Sequence, residues 1–155
     1  MISPEVLRWY PFFSFMNPNQ LREVAMITEE ITIEEGEILF KIEEKANSFF
    51  LLRDGLVDLQ YTVVDEHEPE LRKDFIVGSV NPGEVVGISA IIVPHEYTTS
   101  AITVRVCQLL KIDAVALRKL SQEDRELYCG LQTVIAKTAL ERLHDTRIQL
   151  AAAST

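Results

Sequence analysis

Between Asn81 and Val104 the chain places residues whose types could bind a small molecule. A Pro82-Gly83-Glu84 turn leads to Val85-Val86, then to Gly87 and the run Ile88-Ser89-Ala90-Ile91-Ile92. A turn and the hydroxyl-rich Tyr97-Thr98-Thr99-Ser100 follow. Thr98, Thr99 and Ser100 supply hydroxyl donors without charge. The backbone N–H groups of Ser89 and Ala90 attract an anion if they open a helical turn. Ile88 and Tyr97 add apolar surface and one phenolic hydroxyl.

The same residues offer no reaction. No Gly-x-Ser-x-Gly elbow, phosphate-binding Walker loop or paired-acid arrangement is present, so the expectation is a non-catalytic protein. His67, His95 and His144 are far apart and read as loop or surface residues. A cupin-type metal enzyme needs clustered histidines with a carboxylate, and is a distant alternative. Cys107 and Cys129 form no Cys-x-x-Cys pair and are expected to be small buried fillers, so no metal site is expected.

Charge narrows the partners further. Twenty-four acidic residues against 15 basic ones give a net charge of −9. Lys111, Arg118, Lys119 and Arg125 are interleaved with Asp113, Glu123, Asp124 and Glu126. Without a basic stripe, direct nucleic-acid binding is not expected. No apolar run approaches the ~20 residues of a membrane span. The start of the chain lacks a signal-peptide core, so the expected location is cytoplasmic.

Three segments must position the candidate residues. Residues 1–30 read as helical: Pro11 interrupts an aromatic-rich stretch, and Asn17-Pro18 supplies an N-cap and a first-turn proline. Residues 31–113 read as short strands: 31–33, 37–40, 48–53, 56–64, 75–81, 97–104 and 106–113. Such close spacing predicts a mainly β jelly roll, a double-stranded β-helix, with flanking helices. Asp54-Gly55 predicts a type I′ hairpin. The charged stretch 65–74 reads as an exposed loop.

Residues 114–153 return to helical periodicity. A short helix is expected over 114–120, Ser121-x-x-Asp124 as a cap, and a long helix over 123–153. Leu127, Leu131, Val134 and Ile135 line one side of that helix, and Ala139, Leu143 and Leu150 an adjacent one. That surface is wider than one contact requires. One domain over 1–155 is expected, with no internal repeat.

Pro11-Phe12-Phe13, Glu35-Gly36-Glu37-Ile38-Leu39-Phe40, Phe49–Val57 and the 81–104 cassette resemble, in that order, the cyclic-nucleotide-binding domain family. The likeness covers nearly the whole chain, which resembles the N-terminal half of catabolite-activator-like regulators. It implies a ligand-sensing regulatory module involved in signal transduction. A cyclic nucleotide or another small organic ligand is then the expected occupant, and the long helix is expected to pair a homodimer.

The resemblance also exposes departures. Glu43 stands where the family carries a second glycine, so that turn must be built differently. The family's ribose-binding Glu and phosphate-binding Arg fall on Ile88 and Tyr97. The site residues so implied are Gly87, Ile88, Ser89, Ala90, Tyr97, Thr98, Thr99 and Ser100. A second register places Glu84 on the family's glutamate and leaves His95 near the phosphate.

A charge-assisted contact contributes about 1.5–3 kcal/mol. Losing ~4 kcal/mol would take a micromolar site to roughly millimolar. Ordinary binding of cyclic AMP or cyclic GMP is thus disfavoured. The alternative is a degenerate, ligand-free dimerisation or scaffold module, with Ile88 and Tyr97 packed into the former site.

Overall fold

A computed structural model describes residues 1–154. Three short helical pieces open the chain. Ser3 caps α1 (Pro4–Arg8), with its side chain accepting from the Glu5 N–H. A 3-10 turn at Pro11–Phe13 follows, and Asn17 caps α2 (Pro18–Met26). The α2 cap is reciprocal: Gln20 N–H donates to the Asn17 side chain at 2.8 Å, and Asn17 N–H donates to the Gln20 side chain at 2.9 Å. Two orphan donors are thereby satisfied, with Pro18 in the turn where its missing N–H is harmless.

Eight strands then form two four-stranded antiparallel sheets. They are β1 (Thr28–Ile33), β2 (Ile38–Phe40), β3 (Ser48–Asp54), β4 (Val57–Val64), β5 (Arg72–Val80), β6 (Val85–Val86), β7 (Ser100–Thr103) and β8 (Cys107–Asp113). One sheet has the order β1-β8-β3-β6, the other β2-β7-β4-β5. This is the expected jelly roll with flanking helices. A 3-10 turn at Ile88–Ile91 connects β6 toward β7, and two helices close the chain, α3 (Ala114–Glu123) and α4 (Arg125–Ala153).

Strand β3 shows why the roll needs its helices. Phe49, Phe50, Leu51 and Leu52 are all buried, so both faces of this strand are covered. Phe49 meets Phe12 of the N-terminal segment at a ring separation of 5.3 Å, while Phe50 stacks toward Phe40 inside the roll at 6.1 Å. Successive side chains point to opposite faces, so one strand joins the helical layer to the roll interior.

Several local expectations change. Asp54-Gly55 is not a hairpin: β3 and β4 lie in different sheets, so the turn is a crossing between them. Gly55 has φ 110, but Asp54 stays out of the positive-φ region that a type I′ turn requires. The chain from 97 to 99 precedes β7 rather than belonging to it, because Tyr97 pairs outside the ladder, its N–H donating to Glu44 O. Helix α3 runs on to Glu123, and Ser121 lies inside it with its hydroxyl bonded to Arg118 O. Asp124 is the residue that caps α4, accepting from Leu127 N–H at 3.1 Å, and it also accepts from the Gln20 side chain. Cys107 is buried as expected, whereas Cys129 is exposed on α4.

Glu43 resolves the missing glycine differently from expectation. It adopts φ 75 itself, and its N–H donates to Tyr97 O at 2.8 Å. The turn keeps a left-handed backbone with a side chain that disfavours it. A left-handed residue with a Cβ costs roughly 1–2 kcal/mol. Part of that relief is offset by the greater freedom of glycine in the unfolded chain. Glu43→Gly should therefore raise stability by up to about 1 kcal/mol in a urea titration, and a clear loss would refute the strain.

Candidate ligand-binding site

Helix α4 crosses the open side of the roll and walls a cleft of about 1090 Å3. The opposite wall comes from the N-terminal aromatics, the inner face of β4 and β5, and the β6–β7 connection. The first half of α4 is fixed by Leu127, Leu131 and Ile135, all buried. Gly130 permits the close approach: a Cβ there would lie 2.1 Å from the ring of Phe15.

The β6–β7 connection is built from its glycine outward. Gly87 takes φ 87, and a Cβ on it would stand 3.2 Å from the Tyr97 ring and 3.5 Å from Ser48 O. The left-handed glycine ends β6 and starts the turn Ile88–Ile91, where Ala90 N–H donates to Gly87 O. Arg118 of α3 holds the turn from behind. Its Nη1 donates to Ala90 O at 2.6 Å and to Ala46 O at 3.1 Å.

Gly87, Ile88, Ser89, Tyr97, Thr98 and Thr99 all line the cleft, so six of the expected residues are brought together. Ser89 and Thr98 face each other with their hydroxyls 3.1 Å apart. Ala90 and Ser100 lie behind this wall. Ala90 is fully buried, and the Ser100 hydroxyl accepts from Ile42 N–H at 2.9 Å. In the second register, Glu84 reaches the cleft while its carboxylate also accepts from Asn81 N–H. His95 does not line the cleft; it sits at φ 61 with its carbonyl bonded by Ala46 N–H. Burial, with help from Arg118, lowers its pKa.

Tyr97 is an internal strut. Its ring stacks on Phe40 at 3.7 Å, nearly parallel, and its hydroxyl donates to Ser48 O at 2.6 Å. Burial pushes the phenol's pKa up, against the opposing effect of the Ser48 N–H, which donates to the phenol oxygen. The phenol, expected to offer a handle to a ligand, is engaged by Ser48. Uncharged hydroxyls, from Ser89, Thr98 and Thr99, are what this wall offers instead.

Sequence reasoning missed the far wall. Helix α4 contributes Lys137, Glu141, Arg142 and Asp145 to the cleft. Arg142 Nη2 donates to Val85 O on the strand that leads into Gly87. Burial lowers the Arg142 pKa, with Glu84, Asp145 and Glu141 acting in the opposite direction. No periodicity reveals which polar position of a helix faces a distant strand. Among the described residues, no cluster could hold a metal ion, and no helix is long and apolar enough to cross a membrane.

A jelly roll with a glycine-led helical turn between two strands, and a long helix laid over that turn, defines a class of small regulatory domains. The chain belongs to the cyclic nucleotide-binding domain family, whose model matches residues 30–124. It is similar to a putative cyclic nucleotide-binding protein from Geobacter metallireducens, at 35% identity over 93% of this chain and 100% of that one, with a TM-score of 0.80. Its fold is also similar to the N-terminal domain of a transcriptional regulator from Streptomyces coelicolor. There the identity is 20%, the coverage 92% and 94%, and the TM-score 0.65. A third likeness is to the sensor domain of the transcriptional regulator DNR from Pseudomonas aeruginosa: 18% identity, 90% of each chain, TM-score 0.68. No curated protein sequence matches the chain.

The strut makes a direct prediction. Tyr97→Phe removes the partner of a part-buried carbonyl, which costs about 1–3 kcal/mol. Thermal unfolding should detect that loss, and an unchanged midpoint would show the hydroxyl bond to be dispensable.

Proposed function

We propose that this chain is a non-catalytic, ligand-sensing regulatory module whose ligand occupies the cleft between the β6–β7 connection and α4. Cyclic AMP and cyclic GMP are weak ligands for it. The carrying observation is the composition of the cassette wall: Ile88, Ser89, Thr98 and Thr99 face the cleft, and the cations of the cleft, Lys137 and Arg142, stand on α4 rather than on that wall. A cyclic phosphate set against that wall would meet hydroxyls and backbone N–H groups only. A buried phosphate without a cation loses several kcal/mol of affinity.

Thermal-shift titration tests this reading. A ligand at 100 times its dissociation constant stabilises by about 2.7 kcal/mol. For this size of domain that is a rise of roughly 5–10 °C. Cyclic AMP and cyclic GMP should give no such rise at micromolar concentration. A saturable micromolar response would overturn the claim that the cassette has lost its nucleotide affinity.

A dimerisation role is supported by a separate observation. Beyond Ile135 four large apolar residues of α4 are exposed: Leu140 at 65%, Leu150 at 66%, and Leu143 and Ile148. A second copy of α4, packed about a twofold axis, would bury this stripe. Glu141, Arg142 and Asp145 break a strict heptad, which favours a short contact over a long coiled coil. The wild-type chain should run as a dimer in analytical ultracentrifugation, and Leu143→Arg as a monomer. A monomeric wild-type chain at high micromolar concentration would exclude this contact.

A further inference from the structure

Arg142 stands out among the cleft residues because its charge is under-used. It is partly buried, and its one hydrogen bond among the described residues goes to a neutral carbonyl, Val85 O. It forms no ion pair there, although Glu84, Glu141 and Asp145 act on it at longer range. A guanidinium carries five N–H donors in a fixed fork. Withdrawing it from water is costly unless those donors find acceptors. The Val85 bond also anchors the group, since it ties α4 to the strand that leads into Gly87.

The surroundings restrict what could supply the acceptors. Phe40, Leu59, Val77 and Ile88 give the cleft apolar surface for the body of a ligand. Three carboxylates, Glu84, Glu141 and Asp145, share the cleft with the two cations Arg142 and Lys137. That balance repels a multiply charged anion and tolerates a single negative charge placed on the guanidinium fork. Lys137, a flexible point charge on exposed helix surface, lacks both the fork and the anchor.

We propose that Arg142 is the anion-recognition residue of this cleft, and that the ligand class is an organic monoanion with an apolar body. The inference rests on the cleft being a ligand site, and it moves the charge contact from the cassette to the long helix. Thr133, also on α4 and exposed, lines the same cleft and offers a place to block it.

Two dyes separate the parts of the claim. 8-Anilinonaphthalene-1-sulfonate carries one sulfonate, and N-phenyl-1-naphthylamine has the same rings without it. Fluorescence titration of the full chain should show both binding saturably, with the sulfonate dye preferred by at least about tenfold, the usual scale of a charge-assisted contact. Arg142→Gln should abolish that preference, while Lys137→Gln should keep it. Arg142→Lys should retain part of it. Circular dichroism confirms that each variant is folded, and Thr133→Trp should weaken both dyes.

A preference that survives Arg142→Gln, or one lost in Lys137→Gln instead, overturns the assignment. Equal binding of the two dyes by the wild type also overturns it, yet leaves the cleft standing as a ligand site. If neither dye binds, or if Thr133→Trp leaves both intact, the reading of the cleft itself fails.

Discussion

Helix α4 lies over the roll because one residue has no side chain. Gly130 meets the face of Phe15, where even a methyl group would fall within 2.2 Å of two ring atoms. Leu127, Leu131 and Ile135 then bury themselves to either side. If that contact were spaced further out, these side chains would lose the close packing that makes burial favourable. The rest of the site follows from the seating: it fixes the height of the cleft roof and brings Arg142 to Val85 O, eight residues before Val93 and far from α4 in sequence. Glycine here also costs about 1 kcal/mol of helix propensity. The packing must repay that cost.

The cassette wall is held by a different device. Arg118, from behind, binds the carbonyls of Ala90 in the connection and Ala46 ahead of β3, and Tyr97 closes the gap between Phe40 and Ser48. These bonds use polar groups to shape the wall. An arginine pointing into the cleft would serve a ligand. Arg118 points away from it and serves the fold. Rigidity of the wall is thereby separated from its charge.

Much of the architecture could be read from residue order. Asn17-Pro18, the strand pattern from 31 to 113 and the unbroken helical period after Asp124 were enough to place the roll and its helices. The errors have local causes. Asp54-Gly55 has hairpin composition, yet a dipeptide cannot tell whether its two strands join one sheet or two. Glu43 shows that a left-handed turn can outlast its glycine when hydrogen bonds such as that to Tyr97 O hold the backbone. Cys129 is exposed because α4 turns it into the cleft rather than into the core, which composition alone cannot tell.

The sequence by itself determined the family, the roll and the glycine-led turn. Those features depend on residue type, on period and on neighbours within a few positions, all of which are local in the chain. Only the tertiary structure decided which side chains face the cleft. It turned Tyr97 into a strut, withdrew Ala90, Ser100 and His95 from the wall, and brought in Lys137 and Arg142 from about 40 residues away. Such choices depend on the distance between α4 and the roll, and that distance is set by packing at Gly130 and Phe15 rather than by any pattern along the chain.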